Sequence, residues 1–94
     1  MSTVKPDAMS NIKNQVITIV SNIFNNCETL ESIKEARVAA ESRCLQGIKA
    51  MEATTAFTEE EVERIAEFTV GFITTKVDSY KKKVIENMRN EFVF

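Results

Sequence analysis

The stretch Phe57-Thr58-Glu59-Glu60-Glu61-Val62 constrains the fold more tightly than any other part of the chain. A threonine just before a helix accepts a hydrogen bond from the amide three residues on. A glutamate at that third position reaches back to the threonine amide, which makes a capping box. Phe57 and Val62 stand where a hydrophobic staple places its two residues, and three carboxylates in the first turn suit the positive end of a helix dipole. A helix therefore starts at residue 58. From there Val62, Ile65, Ala66, Thr69, Val70, Phe72, Ile73, Val77, Tyr80, Val84 and Met88 share one face. The spacing predicts a helix over 58–92. Its weakest part is Thr69–Val77, with Gly71 and several β-branched residues, and a break near 76–79 would start a fourth helix.

The rest of the chain is read the same way. One proline and two glycines in 94 residues are too few for a sheet protein, which turns often. Met9, Ile12, Val16, Ile19 and Ile23 recur at spacings of three and four, with Ile17, Val20 and Phe24 widening the face. This predicts a helix over 7–25 behind a loose tail at 1–5. The rival is a strand over Val16–Phe24, where β-branched residues are dense, but strict alternation fails there. Asn25 and Glu28 form a capping-box-like pair before a second helix over 27–52. On that helix Leu30, Ile33, Ala40, Cys44, Leu45, Ile48 and Met51 fall in one arc, with Val38 at its margin and Gly47 near its edge.

The expectation is one all-α domain over 1–94, an antiparallel bundle of three helices, or four if the last one breaks, with a long C-terminal helix. At 1.5 Å per residue the second helix spans roughly 39 Å and an unbroken third roughly 52 Å. The third then overshoots around Val84–Phe92, where Val84, Met88 and Phe92 continue an apolar stripe and Phe94 follows. Such a stripe seeks a partner. A symmetric homodimer would supply it, and a kinked monomer that folds its end back is the alternative. Tyr80, Val84, Met88, Phe92 and Phe94 are accordingly interface candidates. The apolar end Phe92-Val93-Phe94 either packs down or docks on another protein.

Composition excludes much chemistry. There is no histidine, which removes Ser-His-Asp and Cys-His catalysis and imidazole metal sites. Cys27 and Cys44 are too few for a zinc site and read as reduced thiols. No phosphate-cradling glycine loop, Cys-x-x-Cys pair or nucleophile motif is present. The expectation is a protein without catalytic activity, cofactor or metal. Residues 1–11 hold no apolar core of signal-peptide length, and the run Val16–Phe24 is half a membrane span broken by Thr18, Ser21 and Asn22. A cytoplasmic, soluble protein is expected.

The charged residues offer three patterns. Arg37 and Glu41 lie four apart within the expected apolar arc, with Lys34 near the same direction. Charges among core positions are costly unless paired. They are either a specificity device at a helix interface or long stems that cover the core while their heads reach water. Glu59, Glu60, Glu61, Glu63 and Glu67 crowd the start of the last helix; without a converging loop they read as a solvated face rather than a cation site. Lys76, Lys81, Lys82, Lys83 and Arg89 form the only basic cluster and are the candidate phosphate contacts. The formal net charge is -2, so no global basic field supports nucleic-acid binding. The favoured function is protein–protein contact through helix faces, as an adaptor, inhibitor or assembly factor. The alternative is a nucleic-acid-associated regulator that uses the basic C-terminal segment.

Overall fold

The computed structural model describes residues 6–54 and 56–92, with the side chains of residues 6–8 and 90–92 left aside. The tail expected at 1–5, Phe94 and the Phe92 side chain lie outside the described residues. Every regular element among the described residues is a helix: α1 (Pro6–Phe24), α2 (Leu30–Ala53) and α3 (Glu59–Phe92). The β-branched run from Val16 is helical throughout. No helix is long and apolar enough to cross a membrane among the described residues.

The start of α3 follows the capping box residue for residue. The Thr58 amide donates to Glu61 Oε1 at 2.9 Å and the Glu61 amide donates to Thr58 Oγ1 at 3.2 Å. Phe57 is half-buried and Val62 buried. From there α3 runs unbroken through 34 residues, in keeping with a continuous helix over 58–92 and not with the alternative of a break near 76–79 and a fourth helix. Thr69, the buried polar residue of α3, is satisfied inside the helix: its hydroxyl donates to the Ile65 carbonyl at 2.7 Å. Thr75 does the same to Gly71 at 2.9 Å. Each hydroxyl is thus satisfied within the helix, and the backbone stays helical through both positions.

The start of α2 differs from expectation. Its N-cap is Thr29, whose Oγ1 accepts from the Ser32 amide at 3.0 Å, while Ser32 Oγ accepts from the Thr29 amide at 3.0 Å. The Asn25–Glu28 pairing is not made; the Cys27 amide instead closes a turn on the Phe24 carbonyl at 3.0 Å. Serine here does the work usually given to glutamate at the third position, so the connection from α1 is longer than expected and the helix starts at residue 30.

Each helix contacts both others. Lys13 lies over the Phe68 ring and Phe24 packs on Tyr80, so α1 and α3 run in the same direction. Leu30 shares a groove with Met88, and Glu52 shares a cleft with Glu59, so α2 runs opposite to α3. The molecule is elongated, 64 × 20 × 17 Å, with a radius of gyration of 16.3 Å against about 12 Å for a compact chain of this size.

The core is built on Val16, Val20 and Phe24 of α1, Ile33, Ala36, Ala40 and Cys44 of α2, and Ile73, Val77 and Val84 of α3. Ile23, Phe68, Phe72 and Tyr80 pack against it. On α1 the centre is Val20 and Phe24, both fully buried, while Ile17 faces outward. On α2 the seam is made by two alanines, Ile33 and Cys44, and the larger Leu30, Val38 and Leu45 are exposed. The arc that placed Leu30 and Leu45 in the core is therefore corrected. The buried seam passes through the small residues Ala36 and Ala40 and leaves the bulkier ones outside it.

Candidate functional site

The overhang is shorter than the sequence implies. Val84 is 6 % exposed and belongs to the core. Tyr80 is half-buried, its ring 5.7 Å from that of Phe24. Neither is a free interface residue. The residues Cys27–Leu30 reach far enough along α3 to flank Val84 and Met88 in a shallow groove that also holds Lys83 and Asn87. Met88, 46 % exposed, remains on the surface.

Arg37 and Glu41 are corrected as well. Both are exposed, and they pair with each other, Arg37 Nε donating to Glu41 Oε1 at 3.0 Å. The buried seam runs along Ala36 and Ala40, one residue earlier in each case, so the pair stands beside the core and not in it. Exposed pairs four apart on a helix stabilise by about 0.3–0.5 kcal/mol.

The basic cluster is divided. Lys76 lies over the Phe72 ring at 5.5 Å and Lys83 over Tyr80 at 5.3 Å. Their charges are held against aromatic faces at the α1 side of α3. Lys81, Lys82 and Arg89 are exposed but share their surface with Asp78 and Glu86, around Ile85. The cations do not form one continuous phosphate-facing stripe. Among the described residues no group of three acidic or cysteine side chains is arranged to hold a metal ion. Glu52, Glu59 and Glu63 border an open cleft with Phe57 and Val62. Cys44 is buried, and burial pushes its thiol above the ordinary value, opposed by the nearby Arg43 charge. A raised thiol is a poor nucleophile.

The structure instead collects exposed apolar side chains on one side. Leu30, Val38 and Leu45 on α2 and Val70, Ile85 and Met88 on α3 are all exposed, from 44 % for Leu30 to 64 % for Val70. At about 100° per residue, Val70, Thr74, Lys81, Ile85 and Met88 fall within an arc of roughly 60° on α3, turned about 90° from the core seam. Lys34, Val38, Glu41 and Leu45 fall in a similar arc on α2. Leu30 of α2 and Met88 at the end of the α3 arc line one groove. Both arcs therefore belong to one surface, the α2/α3 face on the side away from α1, with the Arg37–Glu41 pair along its inner edge. Val38, Leu45 and Val70 entered the sequence argument as core positions, and Ile85 was passed over. Their position on a second apolar arc, offset from the first, was the available signal.

No protein-family model, curated protein or solved structure matches the chain.

Proposed function

We propose that this protein is a non-enzymatic helical bundle that acts by contact with another protein through its α2/α3 face, as an adaptor, inhibitor or assembly factor. The reading is carried by six exposed apolar side chains, Leu30, Val38, Leu45, Val70, Ile85 and Met88, which helix geometry sets on the side away from α1. Isolated exposed apolar residues are ordinary, whereas a contiguous set rimmed by charge marks an interaction surface. Here Lys34, Glu41 and Lys81 stand among the apolar residues and Glu67 and Asp78 beside them, all exposed. Aliphatic anchors inside a polar border are the usual composition of a protein interface.

The test is a photo-crosslinking amino acid placed at Val70, on the face, and at Asn14, an exposed site on α1. Expected are protein adducts from position 70 that survive nuclease treatment and exceed those from position 14. Equal adducts from both positions, or adducts lost to nuclease, would refute the reading; the second result would favour nucleic-acid association.

A further inference from the structure

We propose that the α2/α3 face is covered by a second copy of this chain, docked with the two α3 helices antiparallel about a two-fold axis near Thr74. This rests on the reading of that face as a protein-contact surface and names its occupant. Charge, register and area all point to this occupant.

Along α3 the charge reverses. Residues 59–67 carry five glutamates and one arginine, net -4; in residues 76–89, apart from Lys76 and Lys83, which lie against Phe72 and Tyr80 on the α1 side, three cations and two acids leave net +1. Two parallel copies would set like charge over like. An antiparallel pair sets the acidic half of each α3 against the basic half of the other. The exposed stripe fixes the register. Thr74 is exposed at its middle, with Glu67 seven residues before and Lys81 seven after, both exposed. A two-fold at Thr74 brings Glu67 opposite the partner's Lys81, and by symmetry does so twice. Val70 then lies beside the partner's Thr74 and Asp78, and Glu60 comes level with the partner's Arg89 within one residue. In the same register Ile85 and Met88 come level with the partner's Glu63 and Glu60, so the apolar contact is made on the flanking α2 helices, by Val38 and Leu45.

Area supports the same occupant. From Glu63 to Met88 the stripe runs about 38 Å at 1.5 Å per residue. With a molecular cross-section of 20 × 17 Å, the face offers on the order of 700 Å², close to the roughly 800 Å² per partner of a standard stable interface. An isologous contact of this kind closes on itself and leaves no further sticky edge.

Charge reversal tests the register directly. Glu67 and Lys81 of one chain are about 21 Å apart along the same helix, well beyond the ~8–10 Å screening length at ordinary salt. They have no direct influence on each other within a single copy. The molar mass of the full chain, wild type and variants, is measured by sedimentation equilibrium, with helix content checked by circular dichroism. Expected is a wild-type mass twice the 10.6 kDa of one chain. Glu67→Lys and Lys81→Glu should each weaken the dimer about ten- to a hundredfold, because each replaces two attractions by two repulsions. The double variant Glu67→Lys/Lys81→Glu should recover most of the loss. As a fold-independent check, Thr74→Cys should be joined into a covalent dimer by a short bismaleimide, in excess of any product from the wild type. A wild-type dimer indifferent to both reversals, or single losses without recovery in the double variant, would overturn the inference. So would a monomeric wild type. If that monomer still gives nuclease-resistant adducts to another protein from position 70, the contact-surface reading survives and only the second copy is rejected.

Discussion

Phe24 sits where all three helices come together, and replacing it with alanine is expected to be among the most damaging single changes. Its side chain is fully buried, it ends α1, and its ring packs at 5.7 Å and a 36° tilt on Tyr80 of α3. Three losses add up. Burying an aromatic of this size is worth about 1.5–3 kcal/mol. The aromatic pair contributes about 0.5–1.5 kcal/mol more. The cavity left between helices adds a further cost, and Phe→Ala changes in cores total about 3–5 kcal/mol. A domain of this length has only about 5–14 kcal/mol in all. The assay is urea unfolding followed by helix circular dichroism, at one fixed protein concentration so that any self-association cancels. With a urea m-value of about 1–1.5 kcal/mol/M, the midpoint should fall by at least about 2 M, or the variant should not fold. Ile17→Ala on the exposed side of the same helix should cost under about 1 kcal/mol. A Phe24→Ala loss no larger than that of Ile17→Ala would refute the placement of Phe24 at the meeting point.

Four other outcomes are expected. Thr58→Ala removes one arm of the α3 capping box and should cost about 1 kcal/mol, with Thr58→Ser retaining most of it; equal losses from both would deny the hydroxyl its role. Gly71→Ala should stabilise the chain by about 0.5–1 kcal/mol, because Gly71 has no positive φ and a Cβ there meets nothing within 4 Å; a drop in thermal midpoint would count against it. Cys44, pushed up by burial, keeps its proton in the folded state at a pH where the unfolded chain has lost it. Stability should therefore hold below the ordinary thiol value of 9.0 and decline as pH rises from there toward the folded value. Cys44→Ala should show a shallower decline, and identical slopes would contradict the assignment. In the native protein Cys27, half-buried, should alkylate before Cys44.

The helical class, the α3 start and its long apolar face are legible in the residues because local signals and burial agree there. Thr58, Glu61 and Val62 each say the same thing through a different interaction. Agreement fails on α2. A helical wheel weights Leu30, Val38 and Leu45 by their size, whereas the folded chain packs on Ala36 and Ala40, whose value lies in being small. The wheel was thus rotated toward the bulky residues, which placed Arg37 and Glu41 in the core when they stand beside it. The α2 cap was missed because Ser32 closes the box, a weaker signal than Glu28. The continuity of α3 was obscured by Thr69 and Gly71. Neither breaks the helix: one hydroxyl turns inward to a carbonyl, and the glycine sits in ordinary helical backbone. The candidate surface was half legible, since its α3 end was anticipated from Met88 but its α2 half was mistaken for interior.

The unbroken α3 helix also sets an order of events during synthesis. It supplies the wall against which both α1 and α2 lie, yet it leaves the ribosome after them. Until Ile73, Val77 and Val84 emerge, Val20, Phe24 and Ile33 have only each other for shelter. The nascent chain therefore passes through a stage in which part of its apolar surface has no cover from α3.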